Sequence, residues 1–369
     1  MRAVMLGVLG LLGLLGVLAG VAAAAVPGPW PGPTFQRGVV YSSWDGSYPA
    51  EAAWREHLPR FKALGVDAIE VLTFAHQPAV DAPEIRADRA DFPVAFITAA
   101  RAQGFRILLK PHVWSRQFYD GSKRWRGSIQ MPDAAAWAAW FAAYEAFIVA
   151  QARQAAALGV EIFSIGLEYV EATRGHDAEW RRVIAAVRAV YPGLLTYSAD
   201  YNHEIGHIAF WDALDVIGVN AYIKLAEEDS PGPIALAIGI TPHFVKLGAL
   251  ATRYGKPILF TEVGFPSVTT AARLPWQWPS GDETVDLDLQ ARAYGAVLGA
   301  CSSVPWCAGL YWWKYYELPE RGSHAHDYSP AGKPAEAVMA GWYRQRPDAP
   351  PPTYPASAAP ASTPVPPPN

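Results

Sequence analysis

Two glutamates follow apolar runs in this chain in the same way. Ile165-Gly166-Leu167-Glu168 and Phe260-Thr261-Glu262-Val263-Gly264 each put a carboxylate where a buried parallel strand would run out into a loop. Paired carboxylates at such positions can cleave a glycosidic bond. One stays protonated and donates to the leaving oxygen, while the other stays ionised and attacks or activates water. Four more apolar runs end in groups that bind or titrate: Leu109-Lys110-Pro111-His112-Val113-Trp114, Tyr197-Ser198-Ala199-Asp200-Tyr201-Asn202, Gly218-Val219-Asn220-Ala221-Tyr222 and Tyr311-Trp312-Trp313-Lys314. A structural barrel needs no charge or hydrogen-bonding side chain at that many strand ends, so together they mark a site. Glu168 and Glu262 are the catalytic candidates. Lys110, His112, Trp114, Asp200, Asn202, Asn220, Tyr222, Trp312, Trp313 and Lys314 are the substrate-binding candidates, with Trp44 on an early loop. Lys110 would lower a neighbouring glutamate's pKa, Tyr222 could donate to the ionised carboxylate, and Trp312 or Trp313 could lie under the sugar ring. Glu70, inside a strand, could pair with Lys110.

The elements that must position these residues alternate. Strand patterns fall at 38–41, 68–72, 106–110, 162–165, 194–198, 216–220, 258–261 and 308–312. Helical patterns fall between most of them, at 51–64, 93–103, 133–158, 177–190, 242–254 and 286–303. Leu64-Gly65, Gln103-Gly104 and Leu158-Gly159 supply the glycine that stops a helix before a strand. Eight strands with alternating helices predict an α/β fold, a (β/α)8 TIM barrel forming one catalytic domain over residues 36–345. A doubly wound sheet would want a Gly-rich phosphate loop after the first strand, and none is there.

Residues 3–26 are almost purely Ala, Val, Leu, Gly and Met, and end in Ala22-Ala23-Ala24-Ala25. This predicts a signal peptide over 1–25, with an uncleaved anchor as the alternative, and a linker over 26–35. No other stretch reads as apolar for long enough to cross a membrane. The protein is therefore expected to be secreted or periplasmic, in the cell envelope, with no stable membrane span once the signal is cleaved. Residues 346–369, rich in Pro, Ala, Ser and Thr, read as a disordered tail. A net charge of −4 without a dense Lys/Arg cluster gives no footprint for nucleic acid. Cys301 and Cys307 flank a short loop and either pair or stay as buried thiols. Fifteen tryptophans exceed what a core needs, and those on loops, Trp44, Trp114, Trp125, Trp276 and Trp278, suit the apolar faces of sugars. The partner expected is a polysaccharide or oligosaccharide, the protein is expected to be a monomer, and no cofactor or metal is required.

Taken together, Gly38-Val-Val-Tyr-Ser-Ser-Trp44, Leu109-Lys-Pro-His112, Gly166-Leu-Glu168, Asp215-Val-Ile-Gly-Val-Asn-Ala-Tyr222, Pro257-Ile-Leu-Phe-Thr-Glu-Val-Gly264 and Gly309-Leu-Tyr-Trp-Trp-Lys314 resemble glycoside hydrolase family 113. The resemblance runs over about residues 36–345. It implies membership of the large retaining clan A, whose acid/base and nucleophile lie on the fourth and seventh strands. It also implies a mainly endo-β-1,4-mannanase activity. By the same resemblance Glu168 matches the acid/base, Glu262 the nucleophile, Tyr222 the tyrosine beside the nucleophile, and Trp312 or Trp313 the platform under the sugar at the cleavage point. Most of the clan carries Asn just before the acid/base, contacting the sugar 2-hydroxyl. This chain has Leu167, so that contact would fall to another residue, Asn202 or Asn220.

Two competing readings follow from the residues. One is a catalytically inactive barrel that only binds carbohydrate. The other is a zinc metallopeptidase, because His203-Glu204-Ile205-Gly206-His207 spells H-E-x-x-H. That motif binds zinc from one face of a long helix. Here it follows a strand and an Asp-Tyr-Asn loop, with another strand starting near Val216, so only a short helix fits.

Overall fold

The computed structural model describes residues 35–42, 49–87, 92–118, 120–316 and 324–345. The expected signal peptide, nearly all of the expected linker, the Pro-rich tail and Trp44 lie outside them. Eight parallel strands run in chain order around a barrel: β1 (Gln36–Ser42), β2 (Ala68–His76), β3 (Arg106–Trp114), β4 (Ile162–Leu167), β5 (Leu194–Asp200), β6 (Ile217–Asn220), β7 (Ile258–Val263) and β8 (Cys307–Tyr316). Because β1 pairs with both β2 and β8, the sheet closes on itself, as expected of a (β/α)8 TIM barrel. A two-residue strand, Arg86–Ala87, adds antiparallel to the end of β2. Every residue of β4 and β7 is buried, the result of covering a parallel sheet on both faces.

The outer layer is α1 (Glu51–Ala63), α2 (Val94–Ala102), α3 (Ala134–Ala157), α4 (Asp177–Arg188), α5 (Pro233–Tyr254), α6 (Leu287–Ser302) and α7 (Pro334–Gln345). Their apolar residues recur at helical spacing. In α4, Trp180, Val183, Ile184 and Val187 form one buried stripe, each contributing about 1.5–3 kcal/mol. Asp133 and Asp286 cap α3 and α6 by accepting from the backbone N–H of Ala136 and Leu289. Gly65 and Gly159, at φ +85° and +65°, end α1 and α3 in the left-handed turn that glycine adopts without a Cβ clash. Between β5 and β6 the chain makes turns and a short 3-10 helix, Phe210–Ala213. Cys301 and Cys307 are joined as a disulfide that ties the end of α6 to the start of β8.

Two expectations need correction. The helix expected at 242–254 begins at Pro233, because Gly232-Pro233 is itself a good start and Leu236 and Ile240 bury against the barrel ahead of Pro242. That full helix is also long and apolar enough by composition to cross a membrane, contrary to the sequence expectation. Its face bearing Leu236, Ile240, Phe244, Leu247 and Ala251 is buried in the protein.

Candidate active site

The strands deliver their polar ends to one mouth. Glu262, near the end of β7, receives a donor on each oxygen. Lys110 of β3 lies 2.5 Å from Oε1, and the Tyr222 hydroxyl donates to Oε2 at 2.7 Å. Lys110 also lies 2.5 Å from Glu70 of β2, so one fully buried ammonium sits between two carboxyl groups. Burial opposes the lysine's charge, but Glu262 and Glu70 outweigh it and raise its pKa. Burial pushes Glu70 up to about 8, with Glu262 adding and Lys110 opposing.

Glu168 follows β4 directly and adopts φ +49°, a left-handed conformation that costs a residue with a Cβ roughly 1–2 kcal/mol. The turn aims its side chain at the mouth. Arg126 Nη1 donates to Oε2 and Asn220 Nδ2 to Oε1, both at 2.8 Å. Thr261 donates to Asn220 Oδ1 at 2.9 Å, which fixes the amide so that its nitrogen meets Glu168. Asn220 pairs with Glu262 in the β6–β7 register, so it stands between the two glutamates. Burial, with Glu262 and Asp200 adding, pushes Glu168 up to about 7 against the opposing Arg126 and Asn220. Gly166, two residues before it, is required by packing, because a Cβ there would lie 2.8 Å from the Tyr197 ring.

Arg126 was not among the sequence candidates. It comes from a 3-10 turn, Arg126–Ser128, in the β3–α3 connection, and its guanidinium also lies 5.5 Å from the Trp114 ring centre. His112 is buried beside Trp114 and Phe74, and neither ring nitrogen has a hydrogen-bond partner among the described residues. Burial, helped by Arg126, Lys110 and Lys314, pushes its pKa well down, leaving a neutral imidazole with two polar atoms to offer.

Other candidates serve the frame. Asp200 accepts from the backbone N–H and the Nδ1 of His203. Asn202 is exposed and donates to the Tyr222 carbonyl at 3.2 Å. Lys314 donates to Ser42 at 3.0 Å and lies 4.9 Å from the Trp313 ring centre. Trp312 is not at the mouth: it is fully buried and stacks at 3.6 Å on Tyr294 of α6. Strand alternation gives Trp313, half-buried next to Gly264, the opposite face. An aromatic path leads outward from Glu262. Tyr222 packs on Tyr328, Tyr328 packs on Trp278, and the Tyr328 hydroxyl donates to the Pro275 carbonyl at 2.6 Å. The loop so held carries Trp276 and Trp278, both about half exposed.

The H-E-x-x-H segment forms turns over 201–207, not a helix. His203 turns to Asp200, His207 to Thr173, and Glu204 is buried between Tyr197 and Thr173. Among the described residues, no group of three His, Cys, Asp or Glu is placed to hold a metal ion.

The family model of Glycoside Hydrolase Family 113 matches residues 39–333. Two solved structures from that family are similar. A β-1,4-mannanase complex is 26% identical, covering 85% of this chain and 100% of its own, at a TM-score of 0.73. The β-mannanase AaManA from Alicyclobacillus acidocaldarius, in complex with ManMIm, is 30% identical, covering 85% and 98%, at 0.68. A β-glucuronidase from Faecalibacterium prausnitzii, 12% identical over 86% of this chain and 50% of its own, shares the fold at 0.59. No curated protein sequence matches the chain.

Proposed function

Since the chain belongs to glycoside hydrolase family 113, we propose that it is a retaining hydrolase of β-1,4-mannan, with Glu262 as nucleophile and Glu168 as acid/base. In the first step a Glu262 oxygen attacks the anomeric carbon. The bond to the leaving oxygen breaks and Glu168 protonates that oxygen, leaving a glycosyl-enzyme ester. In the second, Glu168 takes a proton from water as the water oxygen attacks the same carbon, and Glu262 leaves.

The observation that carries this reading is the unlike surroundings of the two carboxyls. Lys110 and Tyr222 hold both oxygens of Glu262 in place for attack. Glu168, buried and pushed up to about 7, keeps its proton part of the time near neutral pH, which suits a group that must give one and then take one. The neutral His112 and the amide of Asn220 are polar groups suited to sugar hydroxyls, and Trp313 to a ring face. The path to Trp278 and Trp276 supports a polymeric substrate. The apolar residues 3–26 and the Cys301–Cys307 disulfide support a site of action outside the cytoplasm.

The test is hydrolysis of β-1,4-mannan and mannotetraose, followed by NMR of the first-formed anomer. The β-anomer should appear first, and Glu262→Gln and Glu168→Gln should each lose about 10²-fold or more. First release of the α-anomer would refute retention. Mannan binding without turnover by the parent would leave only a binding barrel.

A further inference from the structure

We propose that Glu204, the glutamate of His203-Glu204-Ile205-Gly206-His207, is a positioning residue for Glu168, acting through the Tyr197 hydroxyl. The inference rests on Glu168 being the acid/base. A residue's φ and ψ are set by the peptide planes on either side of its α-carbon, and both planes around Glu168 are pinned. Its own N–H donates to the Ser198 carbonyl at 3.0 Å. The N–H of the following residue, Tyr169, donates to the Tyr197 oxygen at 2.8 Å. These two bonds hold the left-handed backbone that Glu168 would otherwise leave.

Tyr197 can accept there because its own proton has somewhere to go, the Glu204 Oε1 at 2.6 Å. Its ring is wedged against Trp180 and Phe210, over the space that Gly166 leaves open. Glu204 is fixed in turn from two sides. The Asp200 N–H donates to Oε2 at 3.0 Å and the Thr173 hydroxyl to Oε1 at 3.0 Å. Thr173 closes the short helix Val170–Thr173 that begins right after Tyr169, and its Oγ1 lies 2.9 Å from His207 Nε2. The glutamate and the second histidine of the motif therefore hold both ends of the short helix that follows Glu168. Burial pushes Glu204 up to about 8, against the donors Tyr197, Asp200 and Thr173.

An acid held slightly out of place has a distinctive kinetic signature. Dinitrophenolate leaves a sugar without needing a proton, whereas a sugar hydroxyl does not. We would measure kcat/KM, which reports the steps up to the glycosyl-enzyme, on mannotetraose and on 2,4-dinitrophenyl β-mannobioside. Tyr197→Phe, which keeps the ring, and Glu204→Gln, which cannot accept on both sides, should lose about 10–100-fold on mannotetraose. The loss on the dinitrophenyl substrate should stay under about 3-fold, because that step does not call on the acid. Equal losses on both substrates would mean general loosening of the fold and overturn the proposal. Undiminished activity of Tyr197→Phe on mannotetraose would overturn it as well, even if Glu204→Gln failed to fold. A parent that hydrolyses neither substrate would overturn the mannanase reading and this inference with it.

Discussion

Arg126 should set the alkaline limit of activity. Its guanidinium donates to Glu168 at 2.8 Å and opposes the burial that pushes that carboxyl up to about 7. With charge centres about 4 Å apart and an effective dielectric near 20, the pair is worth up to ~4 kcal/mol. Exposure of the arginine to solvent reduces this, and an arginine beside a carboxyl lowers its pKa by about 1–3 units. Arg126→Met, which keeps an apolar stem beside Trp114, should therefore raise the Glu168 pKa by ~1–2 units. The sign follows from the role. With Glu168 as the proposed acid, its protonated form is the active one in the first step, so the alkaline limb of kcat/KM should move from near 7 to ~8–9. At pH 8 the protonated fraction would rise from roughly a tenth to roughly three quarters. The assay is kcat/KM on mannotetraose across pH 4 to 10. A lost sugar contact would lower the plateau and leave the limb in place, so the two effects separate. An alkaline limb that stays put, or moves down, would refute the argument.

Lys110→Met leaves Glu70 and Glu262 buried without the ammonium between them, which should cost about 3–5 kcal/mol in denaturant melts. Adding Glu70→Gln should recover part of that loss. Trp278→Ala should lower kcat/KM about 3–10-fold on chains long enough to reach its loop and leave a mannobioside unchanged; equal loss on both would count against the aromatic path. Glu168→Gln should stabilise the protein at alkaline pH. The folded pKa is raised from 4.5 to about 7, so the folded state binds the extra proton between those values and stability falls as pH rises through 7. The variant should gain about 3 kcal/mol at pH 8, with the gap in melting temperature closing below pH 4.5.

The strand ends were legible because a parallel strand covered on both faces reads as an apolar run, and a polar residue at its end stands out. That is how Lys110, Glu168, Asn220, Tyr222 and Glu262 could be gathered before any geometry, and they do meet at one mouth. The choice within Trp312-Trp313 was not legible. A strand's faces alternate at every residue, and two identical neighbours give no clue to which faces in until Tyr294 claims the first. Arg126 was missed for a different reason. It lies in an irregular connection with no periodicity, and only the fold brings it across to a glutamate 42 positions away in the chain.

The H-E-x-x-H letters show most clearly why a spacing carries chemistry only together with a backbone. On a helix, residues four apart lie on one face, and two histidines there can share a metal. In the turns after β5 the same spacing sends His203 to Asp200 and His207 to Thr173, with Glu204 buried between them. What the chain builds with that glutamate instead is a bond to Tyr197, and through it a grip on the peptide beside Glu168. A glutamate in a left-handed turn needs such a grip, because its relaxed backbone would turn the carboxyl away from Arg126 and Asn220. The zinc signature and the proposed acid/base are thus parts of one structure, and substitutions in the first should be felt in the proton transfer assigned to the second.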